Sequence, residues 1–310
     1  MNPLITPGYQ SLLALQRRIH AFTTEAAAKV GSDLEAPDAP RWVRATQYLA
    51  VAPLYGGLHV EFYGDTEGEP FQWVLESLVE QAVADTIVSL SFTGPDEGAN
   101  GVREWQFTTL LDSAVRFPRL RSLLVRPTEP ADHNMSLIQR VGTIMEEGGE
   151  IARFVDKAPY LSELVVPNAP DASFFQVPLP HLSMLRVGGN FDTQSFIDNL
   201  ASSNNLRGLM TLDFTESAEL QSTWASTRAV GAVTAFSSYE TLFASSALDP
   251  VRVLQLRNSG LSLEELKALR AKRPKLQFMV IQAAQGGYVS SLGGNHRPWR
   301  HLVQSDPGLR

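Results

Sequence analysis

The chain of 310 residues contains no cysteine. Disulfide bonds, thiolate nucleophiles and cysteine metal ligands are therefore excluded. No apolar run reaches the roughly 18 residues that a membrane-spanning helix needs. The first ten residues, MNPLITPGYQ, lack the basic region and apolar core of a secretory signal. These absences predict a cytoplasmic protein with no membrane partner.

Positive charge is also scarce, with 26 Lys and Arg residues against 33 Asp and Glu residues and a net charge of −7. Binding to nucleic acid usually requires a basic surface, so we expect no nucleic-acid partner. The phosphate-binding pattern G-x-x-x-x-G-K-[ST], the zinc pattern H-E-x-x-H and the nucleophile pattern G-x-S-x-G are missing. We therefore expect neither an enzymatic activity nor a cofactor.

Two segments contain side chains that bind metals in other proteins. His296 and His301 are close together in GGNHRPWRH, and Asp306 is a local carboxylate. We expect instead a basic tail in which Trp299 folds onto the preceding structure, with contact to nucleic acid as a minor alternative. The acidic segment MEEGGE (145–150) lacks the spacing of a calcium loop. A solvated helix end followed by a Gly-Gly turn explains it better, so we predict no metal site.

The pattern apolar–x–x–apolar–x–apolar recurs along the chain. Leucine fills more than half of the apolar positions, and the copies start 33, 41, 21, 27, 42 and 25 residues apart. Leucine-rich repeats have periods of 20–29 residues, so the longer spacings indicate insertions, notably 127–150 and 217–247. A weaker copy contains Val60 and Phe62. The seven full copies are Ile87-Leu90-Phe92, Leu120-Leu123-Val125, Leu161-Leu164-Val166, Leu182-Leu185-Val187, Leu209-Leu212-Phe214, Val251-Leu254-Leu256 and Leu276-Met279-Ile281.

Helical patterns separate the copies. The clearest is SLEELKAL, where Ser262 and Glu265 fit a capping box and Pro274 follows the helix. Near the N-terminus, residues 9–30 place apolar side chains three and four apart, which predicts an amphipathic helix, with Gly31 as its C-terminal cap. This helix could bind a partner or a membrane, but packing on the first strands as a cap explains it better.

The segments LSELVVPNA, LRVGGN and VLQLRNSGLSLEELKAL resemble leucine-rich repeats over roughly residues 57–282. The layout is similar to that of irregular bacterial cytoplasmic leucine-rich-repeat proteins of unsettled function. The resemblance implies an α/β solenoid, with a curved parallel sheet on the concave side and helices on the convex side. It also implies an N-terminal helical cap and linker (1–56), a repeat domain (57–285) and a C-terminal tail (286–310). Whether the solenoid is continuous across the two long insertions stays open.

Side chains alternate along a strand, so the residues between the apolar positions of each copy should form a second, solvent-facing surface. Arginine and apolar side chains on such a surface are typical of protein interfaces. The alternative is that inserted segments or the termini cover the apolar members. The predicted partner-binding residues of the concave face are Leu124, Arg126, Glu163, Val165, Met184, Arg186, Asp213, Val253, Gln255, Arg257 and Phe278.

This surface predicts a non-enzymatic scaffold that binds a protein partner, because repeat proteins offer extended binding surfaces. A first alternative is an inhibitor or immunity-type partner of one enzyme or toxin, with a compact contact around Met184, Arg186 and Asp213. A second alternative is an enzyme whose site is built from inserted loops. That alternative requires His133, Glu146 and Glu147 to converge.

Overall fold

The structure is a computed structural model of the whole chain. It describes residues 3–34, 47–66, 68–94, 102–125, 138–141, 147–188, 192–216, 231, 233–282 and 304–305. Of the predicted candidates, Arg126, His133, Glu146, His296, Trp299, His301 and Asp306 lie outside these residues.

The main feature of the fold is a ten-stranded sheet in which the strands follow one another in chain order. Only the first pair, β1 and β2, is antiparallel, and every later pair is parallel. The two end strands do not pair with each other, so the sheet is open. Its strands are β1 (Tyr48–Leu54), β2 (Gly57–Tyr63), β3 (Ile87–Thr93), β5 (Ser122–Val125), β7 (Glu163–Val165), β8 (Met184–Gly188), β9 (Thr211–Thr215), β10 (Val253–Arg257), β11 (Gln277–Gln282) and β12 (Gln304–Ser305).

α-Helices lie between successive strands of the sheet from β2 to β7 and from β8 to β11, and a short 3-10 helix (Phe174–Gln176) lies between β7 and β8. Two further strands, β4 (Val102–Trp105) and β6 (Ile138–Val141), form a separate parallel pair. In the described part of the chain, no helix is both long and apolar enough to cross a membrane. The helices are α1 (Pro7–Leu34), α2 (Phe71–Leu78), α3 (Gln81–Ala84), α4 (Thr108–Asp112), α5 (Glu150–Asp156), α6 (Phe196–Ser202), α7 (Phe236–Ala244) and α8 (Leu263–Lys272).

One face of the sheet packs against the helices and forms the hydrophobic core. In the first six full copies of the repeated pattern, every apolar position is at most 4% exposed. Between strands, helix residues such as Leu110, Phe154, Leu200 and Leu269 join the same cluster. The mixed α/β class and the positions of the repeated strands are therefore confirmed.

The seventh copy is an exception, because its register differs from the predicted one by one residue. Phe278 pairs with Leu254, which is a core residue, while Met279 pairs with Gln255. The ring of Phe278 packs edge-on against the buried Phe243, with the ring centroids 5.5 Å apart. The prediction that Phe278 faces outward is therefore wrong, and Met279 takes that place.

Helix α1 covers the N-terminal edge of the sheet. Leu12, Leu15 and Ile19 are buried against the first strands, as the amphipathic pattern predicts. Gln16 donates a hydrogen bond to the Leu49 carbonyl (2.7 Å), and Thr23 donates one to the carbonyl of residue 47 (3.0 Å). Covering an edge strand removes a template for unwanted strand pairing. The helix continues past the predicted cap at residue 31 and ends at Leu34, because a helix interior tolerates a glycine at a cost of only about 1 kcal/mol.

The capping box of α8 is confirmed. Ser262 accepts a hydrogen bond from the Glu265 amide (3.3 Å), and the Glu265 carboxylate accepts one from the Ser262 amide (2.7 Å). We expect Ser262→Ala to lower the free energy of unfolding by about 1 kcal/mol, since a helix N–H loses its acceptor. Ser262→Thr keeps the hydroxyl and should stay close to wild type in urea denaturation. Equal losses in both variants would contradict a capping role.

Candidate binding face

The face of the sheet opposite the core, here the second face, arranges its side chains in rows that cross the strands. Each row follows from the strand register. The first row is His59, Ser89, Ser122, Glu163, Met184, Thr211, Val253 and Gln277, and the second is Glu61, Ser91, Leu124, Val165, Arg186, Asp213, Gln255 and Met279.

An ion pair lies on strands β9 and β10 of this face. The Arg257 guanidinium forms a bidentate ion pair with the Asp213 carboxylate. Its Nε donates to Oδ1 at 2.7 Å, and one terminal nitrogen donates to Oδ2 at 2.8 Å. That terminal nitrogen also donates to the Gln255 side chain at 3.1 Å. Asp213 pairs with Gln255 across the strands, so Arg257 is its diagonal neighbour, within reach of a long side chain. Both charged side chains are less than 10% exposed.

Arg186 lies directly opposite Asp213 on strand β8. Its Nε is 3.7 Å from Asp213 Oδ2, and its side chain is 36% exposed. Among the described residues this is its one charged partner, and its terminal nitrogens make no hydrogen bond. Asp213 thus pairs with the Nε side of the Arg186 guanidinium, while the terminal N–H groups of Arg186 remain available. We call Arg186, Asp213, Gln255 and Arg257 the arginine cluster.

Apolar side chains lie on strands β8 and β10 of the arginine cluster and on β5 and β7 beside it. Leu124, Met184 and Val253 are half-buried on the second face, as the alternation predicts, whereas Val165 is only 8% exposed. The cluster therefore combines apolar contact area with a held arginine, which is the composition of protein-interface centres.

The other half of the second face is acidic and rich in hydroxyl groups. Glu61 accepts a hydrogen bond from the Tyr48 hydroxyl (3.0 Å) and lies 3.9 Å from His59 Nε2. The His59 ring nitrogen Nδ1 is 2.9 Å from the Ser89 hydroxyl. Glu163 accepts a hydrogen bond from the Ser122 hydroxyl at 2.6 Å. The second face is thus polarised, with carboxylates towards β2 and β7 and arginines towards β8 and β10.

A buried carboxylate lies at the end of strand β9, next to the arginine cluster. Glu216 is fully buried and accepts hydrogen bonds from the Thr234 amide (2.7 Å) and the Gly260 amide (3.2 Å). Its own amide donates to the Arg257 carbonyl at 2.9 Å. Burial raises the pKa of Glu216, and the two amide hydrogen bonds partly oppose this. The nearby hydroxyls of Tyr239 and Thr234 also lower this pKa, although neither lies in good hydrogen-bonding geometry. Glu216 therefore ties together the loops that follow β9 and β10.

Glu147 ties loops together in a comparable way. It is 4% exposed and accepts hydrogen bonds from the amides of Gly149 (2.9 Å), Ile151 (2.9 Å) and Asp171 (2.7 Å). Burial raises its pKa as well. The predicted solvated helix end is therefore wrong at Glu147, which is buried and precedes helix α5, with Gly149 in the left-handed region at φ 94°. Its carboxylate oxygens are occupied by three hydrogen bonds from backbone amides, which indicates a structural role. This argues against the alternative of a catalytic site built from inserted loops.

Sequence reasoning missed Glu216 and Met279. A single glutamate after a strand matches no recognisable sequence motif. The role of Glu216 becomes visible only in the fold, which places the amides of Thr234 and Gly260 next to its carboxylate. Comparisons of the chain with known protein families, with curated proteins and with solved structures found no match. The class that the structure itself defines is a mixed α/β protein with an open, mostly parallel sheet.

Proposed function

We propose that this protein is a non-enzymatic scaffold that binds a protein partner through the second face of its sheet, which we interpret as the concave face of a leucine-rich-repeat solenoid. The strand order, which follows the chain, and the repeated apolar core positions support the repeat interpretation. We further propose that the protein acts in the cytoplasm and needs no cofactor.

The observation that carries the proposal is the exposed end of Arg186. Its Nε forms an ion pair with Asp213 at 3.7 Å, which restricts the side chain before a partner binds. Its terminal nitrogens match the geometry of a carboxylate, which arginine binds through two parallel hydrogen bonds. We therefore propose a partner segment that places an Asp, Glu or C-terminal carboxylate on Arg186 and an aliphatic side chain against Met184 and Val253.

The compactness of the arginine cluster also favours the alternative of one dedicated partner, such as an enzyme or toxin that this protein inhibits. Interface energy is concentrated in a few residues, and arginine is prominent among them. The two alternatives differ in how many proteins compete for the second face. A scaffold should bind several partners that exclude one another, whereas an inhibitor should bind one.

Affinity capture with matched variants tests the proposal. In the variant Met184→Asp/Arg186→Glu, two new negative charges meet the partner's carboxylate, so the captured partner should be lost. The control Met210→Asp/Arg207→Glu makes the same chemical changes at exposed residues outside the rows and should retain the partner. Retention by the first variant, or equal loss from both, would contradict the proposal.

A further inference from the structure

An open cavity of about 630 Å³ lies between the end of helix α4 and helix α5, away from the second face. Its volume falls within the range of small-molecule sites, roughly 300–1,000 Å³. Apolar side chains form much of its wall, namely Leu111, Val115, Ala152 and Val177. A cavity of this kind favours a ligand with an apolar body.

Three cations line one end of the cavity, and two of them have a carboxylate partner. Arg153 pairs with Asp112 at 2.6 Å, and Arg116 pairs with Asp156 at 3.7 Å. Lys157 donates a hydrogen bond to the Ser113 carbonyl and, within the described part of the chain, forms no ion pair. An ammonium group has three donors, so two remain for a ligand. One positive charge of this cluster is therefore left without a counter-charge.

Among the lysine side chains that the structure describes, Lys157 is the buried one. Its residue is 8% exposed, and burial, followed by the charges of Arg153 and Arg116, lowers the pKa of its ammonium. A bound anion would offset each of these unfavourable effects. The carboxylates near the opposite end, Glu147, Glu150 and Asp171, already accept backbone hydrogen bonds. An anionic group would therefore lie at the Lys157 end.

We propose that this cavity binds a small amphipathic anion, with its carboxylate or phosphate against Lys157 and its apolar body against Leu111, Val115 and Val177. The site is separate from the second face, so it adds a ligand to the proposed scaffold. It does not depend on that scaffold function being correct.

Calorimetric titration with octanoate and with octyl phosphate tests the proposal and distinguishes the two head groups. We expect at least one of them to bind, and the neutral 1-octanol and inorganic phosphate to bind at least ten-fold more weakly. Hydrogen bonds to charged groups contribute enough that Lys157→Met should weaken binding roughly 10- to 100-fold. Lys157→Arg should retain most of the affinity, because it keeps the charge.

Two controls keep the result interpretable. Ala114→Trp introduces a large ring at an exposed position of the cavity wall and should block binding while leaving Lys157 in place. Lys272→Met removes a lysine that pairs with Glu240 elsewhere and should leave binding unchanged. Absence of binding by both octyl anions, or equal affinity in wild type and Lys157→Met, would overturn the proposal.

Discussion

Replacing Asp213 with alanine is expected to lower the free energy of unfolding by about 3–5 kcal/mol, the range for removing one partner of a buried ion pair. The carboxylate accepts both hydrogen bonds of the Arg257 fork, and both side chains are less than 10% exposed. It also holds the base of Arg186. Without it, the guanidinium groups of Arg186 on β8 and Arg257 on β10 face each other across β9 with no carboxylate between them. Urea denaturation measures the loss.

The control for this variant is Asp249→Ala, which removes an exposed carboxylate that pairs with Arg273 at 2.6 Å. Exposed pairs contribute about 0–1 kcal/mol, so the control should stay near wild type. A double-mutant cycle with Arg257→Ala isolates the coupling between Asp213 and Arg257. A coupling near zero would show that the pair does not organise the second face.

Replacing Glu216 with glutamine is expected to lower the free energy of unfolding by about 1–3 kcal/mol, the cost of leaving one buried polar group unsatisfied. The glutamine side chain has a single oxygen, whereas the two oxygens of the Glu216 carboxyl group accept hydrogen bonds from the amides of Thr234 and Gly260. Its nitrogen would then face a backbone donor. Glu240→Gln, at a more exposed site, should cost less than about 0.5 kcal/mol.

The effect of Glu216→Gln should depend on pH. Because the pKa of Glu216 in the folded state is raised above its ordinary value of 4.5, ionisation opposes folding. Its contribution to stability is fully present below 4.5 and is lost as the pH rises through the folded-state pKa. The advantage of wild type over the variant should therefore shrink as the pH rises above 4.5. Glu147 contributes the same dependence to both proteins, so it cancels in the difference. An advantage that grows with pH would contradict the assignment.

The sheet could be predicted from sequence because its core positions recur with the alternation of a strand and because leucine fills most of them. The prediction depended on contrast between apolar and polar neighbours. In β10 the sequence VLQLR has that contrast, and Leu254 and Leu256 are in the core. Strands β4 and β6 lack a repeated pattern, and β6 falls inside the segment assigned to an insertion.

The error at β11 has the same physical cause. Its residues Phe278, Met279, Val280 and Ile281 are all apolar, so alternation cannot distinguish the two faces. A shift of one residue turns every side chain to the opposite face. The pairing of Phe278 with Leu254 and its contact with Phe243 decide the register, and neither can be read from the local sequence.

The members of the arginine cluster were predicted individually, but their pairing was not. Asp213 and Arg257 are 44 residues apart, and only the register of β9 against β10 makes them diagonal neighbours. The buried roles of Glu147 and Glu216 depend on backbone amides from distant loops. The position of such donors cannot be read from the local sequence, so both carboxylates would be expected at the surface.

The most direct test of the central claim, that the second face binds a partner through Arg186, is the dissociation constant of the captured partner for three proteins. These are wild type, Arg186→Met and the control Arg207→Met, each measured by titration calorimetry. Loss of a charged hydrogen-bonding group predicts binding about 10- to 100-fold weaker for Arg186→Met and unchanged for Arg207→Met. Equal dissociation constants for wild type and Arg186→Met would contradict the claim.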